Sequence, residues 1–349
     1  TGGEGSPTAD GLTICTALSG TSIYGASQNL QAEAPDDNFA LYLQLAHNEW
    51  NLHLGVLGTS DSPQEDMPRM EAKEYAERVR KFYTALYHSM LAPTIYSDVD
   101  GNYLGPDRHI HHTDGIHYST FSLWDTYRAA HPLFTLTNPD RVSDMANSLI
   151  DFGIQHGRLP VWNMWACETD MMIGYHSVPV IVDAILKGFK DIDPDRALDI
   201  CVQTARMRDY RSIGTYIDKG YVPTGVDDMG GNDDWSMSRT LEYAYDDWCI
   251  AALAEYLGRT DIAREFHARA KNYENLFNTD TGFLEPRQAD GSFIPGFSPV
   301  AYGPHVCESN AWMYQWSVQH DISGLCQLFG GKKKMAKMLN EFFTFTEED

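Results

Sequence analysis

Three stretches of the chain set carboxylates beside aromatic rings where a helical pattern begins. They are YSTFSLWDTYRAAHPLF from Tyr118 to Phe134, LPVWNMWACETDMMIGYHSVPV from Leu159 to Val180, and YGPHVCESNAWMYQWSVQHDISGL from Tyr302 to Leu325. A carboxyl group against an aromatic wall is desolvated, which favours its protonated form and suits a general acid. Cleaving a glycosidic bond takes one such acid to protonate the departing oxygen, and a second carboxylate besides. Taken singly, each stretch is non-specific, because acidic side chains also cap helix N-termini.

Other chemistry-bearing clusters have plainer readings. His109, His111, His112 and His117 crowd the segment DRHIHHTDGIH and imitate transition-metal ligands. The segment has no helical register to fix them, so it reads as a polar surface loop. Asp233 and Asp234 in GGNDDWSMS read as loop carboxylates, and Asp246-Asp247 as structural groups in a packed helix. The six cysteines make no CxxC pair and read as buried thiols.

A net charge of −23 repels phosphate backbones and anionic membranes, so nucleic acid is a poor partner. A neutral sugar is not repelled. No run approaches the ~18 apolar residues of a membrane span. The chain begins with Thr1 rather than Met, so its true start is expected upstream. With 43% hydrophobic residues, a sizeable core is available.

Positioning falls to helices. From about residue 36 the apolar spacing is helical, as in Ala72, Tyr75, Ala76, Val79, Phe82, Tyr83, Leu86 and Met90. Asn138-Pro139 and Asp193-Pro194 each place a capping side chain before a proline at the first helical position. Further starts fall near Asp37, Thr120, Met171, Ser238, Thr260, Asn310, Asp321 and Lys332, giving eleven candidate helices. The body is therefore expected to be mainly α, as a bundle, a solenoid or a closed toroid of helical hairpins. Thr13 to Tyr24 (TICTALSGTSIY) reads as one or two strands and a connector, the remnant of an upstream β domain.

The run at Tyr118–Phe134 resembles glycoside hydrolase family 92 α-mannosidases nearly letter for letter. So do MIGYHSVPVIVDAILKG, TLEYAYDDWCIAALA, FYTALYHSMLAP, SDVDGNY and ESNAWMYQWSVQHD, in the family's order. The resemblance implies a β-sandwich domain, ending here within residues 1–35, and an (α/α)6 toroid over 36–349 that lacks its C-terminal part. It implies removal of terminal α-linked mannose, most often α-1,2, with inversion and a calcium ion. Glu308 corresponds to the general acid, with Ser309 where the family has glycine. Asp125 corresponds to the aspartate that binds the terminal mannose. Trp124, Trp165 and Glu168 stand beside these positions as candidate sugar-facing residues, with core packing as the alternative for the tryptophans and a buried structural carboxylate for Glu168. The family's base and an H-E-P motif that helps hold calcium are expected downstream of Asp349, so no metal ligand is assigned within the chain. The implied partner is a mannose-containing oligosaccharide or glycoprotein glycan, and the implied location is secreted or periplasmic. Two rival readings are another (α/α)6 enzyme, such as a polysaccharide lyase, and an inert glycan-binding fragment.

Overall fold

The computed structural model describes residues 14–36, 38–59, 69–229 and 233–346, with the backbone alone at Arg69 and Met70. The chain is mainly helical and divides into two compact units. The first comprises residues 1–121, 133–148 and 163–167, and the second residues 122–132, 149–162 and 168–349. All strands among the described residues are two or three residues long and pair in twos, so no parallel sheet runs through either unit.

In the first unit, α1 (Ile23–Glu33), α2 (Phe39–Leu54) and α3 (Arg69–Ser89) come first. Helix α1 corrects the strand reading, because residues 14–22 are irregular and Ile23 onward is helical. The start of that stretch, Thr13, lies outside the described residues, as do Asp37 and the beginning of the helical pattern at Glu65. The TSIY segment looks β-branched, but Ser22 caps the helix by accepting from the Gly25 amide at 2.9 Å. Buried Asp98 then holds the segment, taking hydrogen bonds from Ser19 (2.7 Å), Thr21 (2.5 Å) and Asn29 (2.8 Å).

The histidine-rich segment is an antiparallel hairpin, not a loop. Strand β1 (Asn102–Leu104) pairs with β2 (Ile110–His112), with Tyr103 opposite His111. His111 Nε2 lies 3.0 Å from both oxygens of Asp107. His117 is buried and stacks on Tyr103 with ring centroids 3.7 Å apart. Burial pushes its imidazole down to about 3, and His111 acts the same way.

The short helix α4 (Leu123–Thr126) lies in the second unit. Helices α5 (Ala130–Thr137) and α6 (Val142–His156) each have residues in both. Asn138 does not cap with its side chain as expected; its amide oxygen takes the Thr137 hydroxyl instead, and Pro139 opens a 3-10 turn ahead of α6.

The rest of the second unit holds α7 (Ser177–Leu186), α8 (Pro194–Ala205), α9 (Ile213–Lys219), α10 (Ser236–Tyr256), α11 (Thr260–Arg269), α12 (Ala311–Tyr314), α13 (Ile322–Leu328) and α14 (Lys332–Thr344). Asp193 caps α8 as its sequence predicts, accepting from the amides of Asp195 and Arg196. Asn310 and Asp321 cap α12 and α13. Helix α10 packs against α7, α8 and α11 and is buried along most of its length, with Arg239, Glu242, Asp246 and Asp247 inside. Polar groups at such depth must be paired. Asp247 takes Arg269 at 2.8 and 2.9 Å, Tyr175 at 2.6 Å and Tyr216 at 3.0 Å. Asp246 takes the Tyr175 amide at 2.8 Å and His176 at 2.7 Å. The structural reading of this aspartate pair is thus correct.

The cysteine reading holds for Cys201, Cys249 and Cys307, which are buried, but Cys15 and Cys167 are exposed.

Candidate active site

Glu308 sits in a short loop before α12, exposed, with φ +48°. A left-handed backbone at a residue other than glycine costs of order 1–3 kcal/mol and persists only where the surroundings fix it. Here the start of α10 does so. The amides of Trp235 and Met237 donate to Pro304 and His305 oxygens at 2.8 and 3.0 Å. The Cys307 amide donates to Ser238 Oγ at 2.9 Å. Tyr302 and Asn310 close the loop by a β-bridge. The strain falls on Glu308 itself, and Ser309 keeps a negative φ, so a side chain there meets no left-handed penalty.

Asp125, also exposed, lies in α4. Ser122 Oγ donates to Asp125 Oδ2 at 2.5 Å and accepts from Trp162 Nε1 at 2.8 Å. Trp162 is in turn held by Glu168, which accepts from its amide at 3.0 Å and from those of Val161 (2.7 Å) and Asp170 (2.8 Å). The Glu168 side chain is 2% exposed and lies 3.9 Å from Arg158. The sugar-facing reading of Glu168 is therefore corrected. Its carboxylate is committed to backbone amides and orders the loop that carries Trp162, because a buried carboxylate needs several donors.

Trp124 is half-buried against the core around Cys307, Ala311 and Tyr314. Its indole Nε1 donates to the Tyr314 hydroxyl at 3.2 Å. This bond joins the segment of Asp125 to the helix that begins just after Glu308. Tyr314 in turn donates to Glu242 Oε1 at 2.5 Å. Trp312 faces Phe283, Phe342 and Phe345.

Glu242 is buried in α10. It also takes the Tyr127 hydroxyl at 2.8 Å and Arg128 at 2.7 Å, and His176 Nε2 lies 3.4 Å away. Burial pushes its carboxyl up, but His176, Arg128 and the tyrosine donors outweigh burial and hold it below the ordinary glutamate range. Burial first and Glu242 second raise the Tyr127 and Tyr314 hydroxyls, so both remain donors at neutral pH. Burial likewise raises the Cys307 thiol, with Glu308, Glu242 and Asp233 acting the same way as negative neighbours.

Asp234 accepts from His305 (2.9 Å) and from the amides of Gly225 (2.8 Å) and Ser236 (2.9 Å), which fits its reading as a loop carboxylate. Gly230, Gly231 and Asn232 of the same motif lie outside the described residues.

Trp165 belongs to the first unit, exposed by 57%, with φ +56° and its carbonyl accepting from Ser119 at 3.3 Å. A cavity of about 280 Å3 in the second unit is lined by Tyr127, Arg128, His131, Asp183, Tyr245 and Gln319 among others; Asp125 and Glu308 do not line it.

Among the described residues, no three His, Cys, Asp or Glu side chains come together to hold a metal ion. They therefore do not fit a calcium cage by themselves. The arrangement presents two exposed carboxylates, Asp125 within α4 and Glu308 just ahead of α12.

The sequence signals had passed over Ser122, Trp162, Glu242 and Tyr314. A glutamate among Leu241, Tyr243 and Ala244 in an apolar helical run is the available signal for Glu242, since such a group must have partners.

The second unit is a mainly helical body that exposes the carboxylates of Asp125 and Glu308. Residues 25–349 match the glycosyl hydrolase family 92 catalytic domain, and the chain belongs to that family. Its structure resembles that of a family GH92 α-mannosidase from Bacteroides thetaiotaomicron, with a TM-score of 0.83 and 34% identity over 95% of this chain and 42% of that one. A family GH92 inverting mannosidase from Bacteroides thetaiotaomicron VPI-5482 matches with a TM-score of 0.82 and 32% identity, over 93% of this chain and 43% of that one. An uncharacterized secreted glycosidase from Arthroderma benhamiae is 26% identical over 90% of this chain and 40% of its own length. The chain thus spans about two-fifths of the length of these relatives. The mainly helical class expected from the sequence, that of the family's (α/α)6 catalytic domain, is the class of the matched structures.

Proposed function

We propose that the protein containing this chain is an inverting exo-α-mannosidase that removes terminal α-linked mannose, with α-1,2 linkages preferred, from oligosaccharides or glycoprotein glycans. The observation that carries the reading is the Trp124–Tyr314 hydrogen bond of 3.2 Å, which ties the helix of Asp125 to the helix that follows Glu308. Glu308 protonates the glycosidic oxygen as the bond to the leaving sugar breaks. Asp125 accepts hydrogen bonds from mannose hydroxyls, and Trp124 packs beside it. A water attacks from the opposite face of the ring, activated by a second carboxylate that acts as base. The mannosidase names of the matched structures support the substrate class. Calcium dependence belongs to the same reading, with ligands supplied from outside the described residues. A secreted location is supported by the name of the fungal relative.

The test is release of free mannose from an α-1,2-linked mannobiose by the full-length protein, compared with Glu308→Gln. The reading expects release by the wild type and its near-loss in the variant. An unsaturated sugar product would instead indicate a lyase, and binding without turnover an inert glycan-binding protein.

A further inference from the structure

Two site-bearing segments converge on one buried carboxylate. Tyr127 and Arg128 follow Asp125 closely in the chain, and Tyr314 follows Glu308 within one helical turn of the α12 cap. All three donate to Glu242, at 2.8, 2.7 and 2.5 Å. We propose that Glu242 is a positioning residue, which fixes where Asp125 and Glu308 stand relative to the bound sugar by anchoring Tyr127 and Arg128 on one side and Tyr314 on the other. The proposal rests on the reading of Glu308 as the acid.

Stability alone does not require this group. Burying a charge carries a desolvation penalty, and an apolar group of similar shape is often as stable. What a saturated buried network supplies is one defined arrangement of the groups that donate to it. Glu242 Oε1 receives both Tyr314 and Arg128, while Oε2 receives Tyr127 and faces His176. A glutamine would offer one oxygen and one NH2, so one set of donors would face another donor. The geometry across the site would then loosen, and a misplacement of about 1 Å can cost roughly a hundredfold in rate. Tyr314 is the link between the two sides, since its hydroxyl also accepts from Trp124.

The experiment uses the full-length protein with two substrates. One is a mannobioside, whose leaving group needs protonation. The other is an aryl α-mannoside with an acidic phenol, which leaves without it. Tyr314→Phe keeps the ring and removes only the hydroxyl; Glu242→Gln and Glu308→Gln are made alongside, and thermal unfolding confirms that each is folded. Tyr314→Phe is expected to lose roughly a hundredfold in kcat/KM on the mannobioside and about tenfold or less on the aryl mannoside. Glu242→Gln is expected to follow it wherever it folds. If Glu308→Gln shows this leaving-group dependence and Tyr314→Phe loses equally on both substrates or on neither, the role of Glu242 is overturned alone. If Glu308→Gln shows no such dependence, the assignment of the acid falls, and the role of Glu242 with it.

Discussion

The indole of Trp124 donates to the hydroxyl of Tyr314 at 3.2 Å, across nearly two hundred positions of sequence. Through this bond, the two segments that carry the exposed carboxylates share one support. Asp125 stands on one of them, oriented by Ser122, and is expected to bind sugar rather than to move a proton. Asp125→Ala in the full-length protein should raise KM for a mannoside by roughly ten- to a hundredfold, the range of one hydrogen bond to a charged group. Turnover should fall less. Steady-state kinetics reads the split, and a collapse of kcat at constant KM would contradict the assignment.

Arg269 and Asp247 provide a test of the core. The guanidinium donates to both oxygens of a carboxylate that is fully buried. Burial pushes Asp247 up to about 6, against the pull of Arg269. Arg269→Met leaves that carboxylate without its counter-ion, which typically costs about 3–5 kcal/mol. Denaturant unfolding should show the loss, and adding Asp247→Asn should recover part of it, because the charge is then gone.

His117 should make stability depend on pH. In the folded protein burial holds its imidazole at about 3, against 6.5 as the ordinary value. Below pH 6.5 the unfolded chain takes up a proton that the folded chain refuses. Stability is therefore expected to decline as pH falls from 6.5 towards 3, by about 1.4 kcal/mol per pH unit for this one group. His117→Phe keeps a ring to stack on Tyr103 and should flatten the slope. An unchanged slope in unfolding experiments across that range would contradict the account.

The helical class was legible because three-and-four spacing and capping residues are local signals. Asp193, Asn310 and Asp321 cap the helices that their positions announce. Helix α1 was not legible, since β-branched Thr21 and Ile23 resemble a strand until Ser22 is seen to cap. Helix α9 is short and bounded by left-handed Ser212 and Gly220, so its spacing carries little periodicity. At the site, Glu308 and Asp125 stood out by motif. Glu168 looked alike by composition, and only its three amide partners show that its carboxylate faces the backbone. The part played by Glu242 depends on partners more than seventy positions away, which no local pattern encodes.

Calcium can be assigned by removal and by titration. Chelation should abolish activity of the full-length protein, and calcium should restore it. Full activity in excess chelator would remove calcium from the proposal.

The most direct measurement is the anomeric configuration of the first mannose released. Proton NMR of an α-mannoside digest, taken before mutarotation, separates the two anomers. An inverting enzyme holds its acid and base about 6.5–9.5 Å apart with a water between them, whereas a retaining pair sits about 5–5.5 Å apart and passes through a covalent intermediate. The account predicts β-mannose as the first product of the full-length protein, and near-loss of that product from a mannobioside in Glu308→Gln. Initial release of α-mannose, or a Glu308→Gln enzyme that cleaves the mannobioside at the wild-type rate, would contradict it.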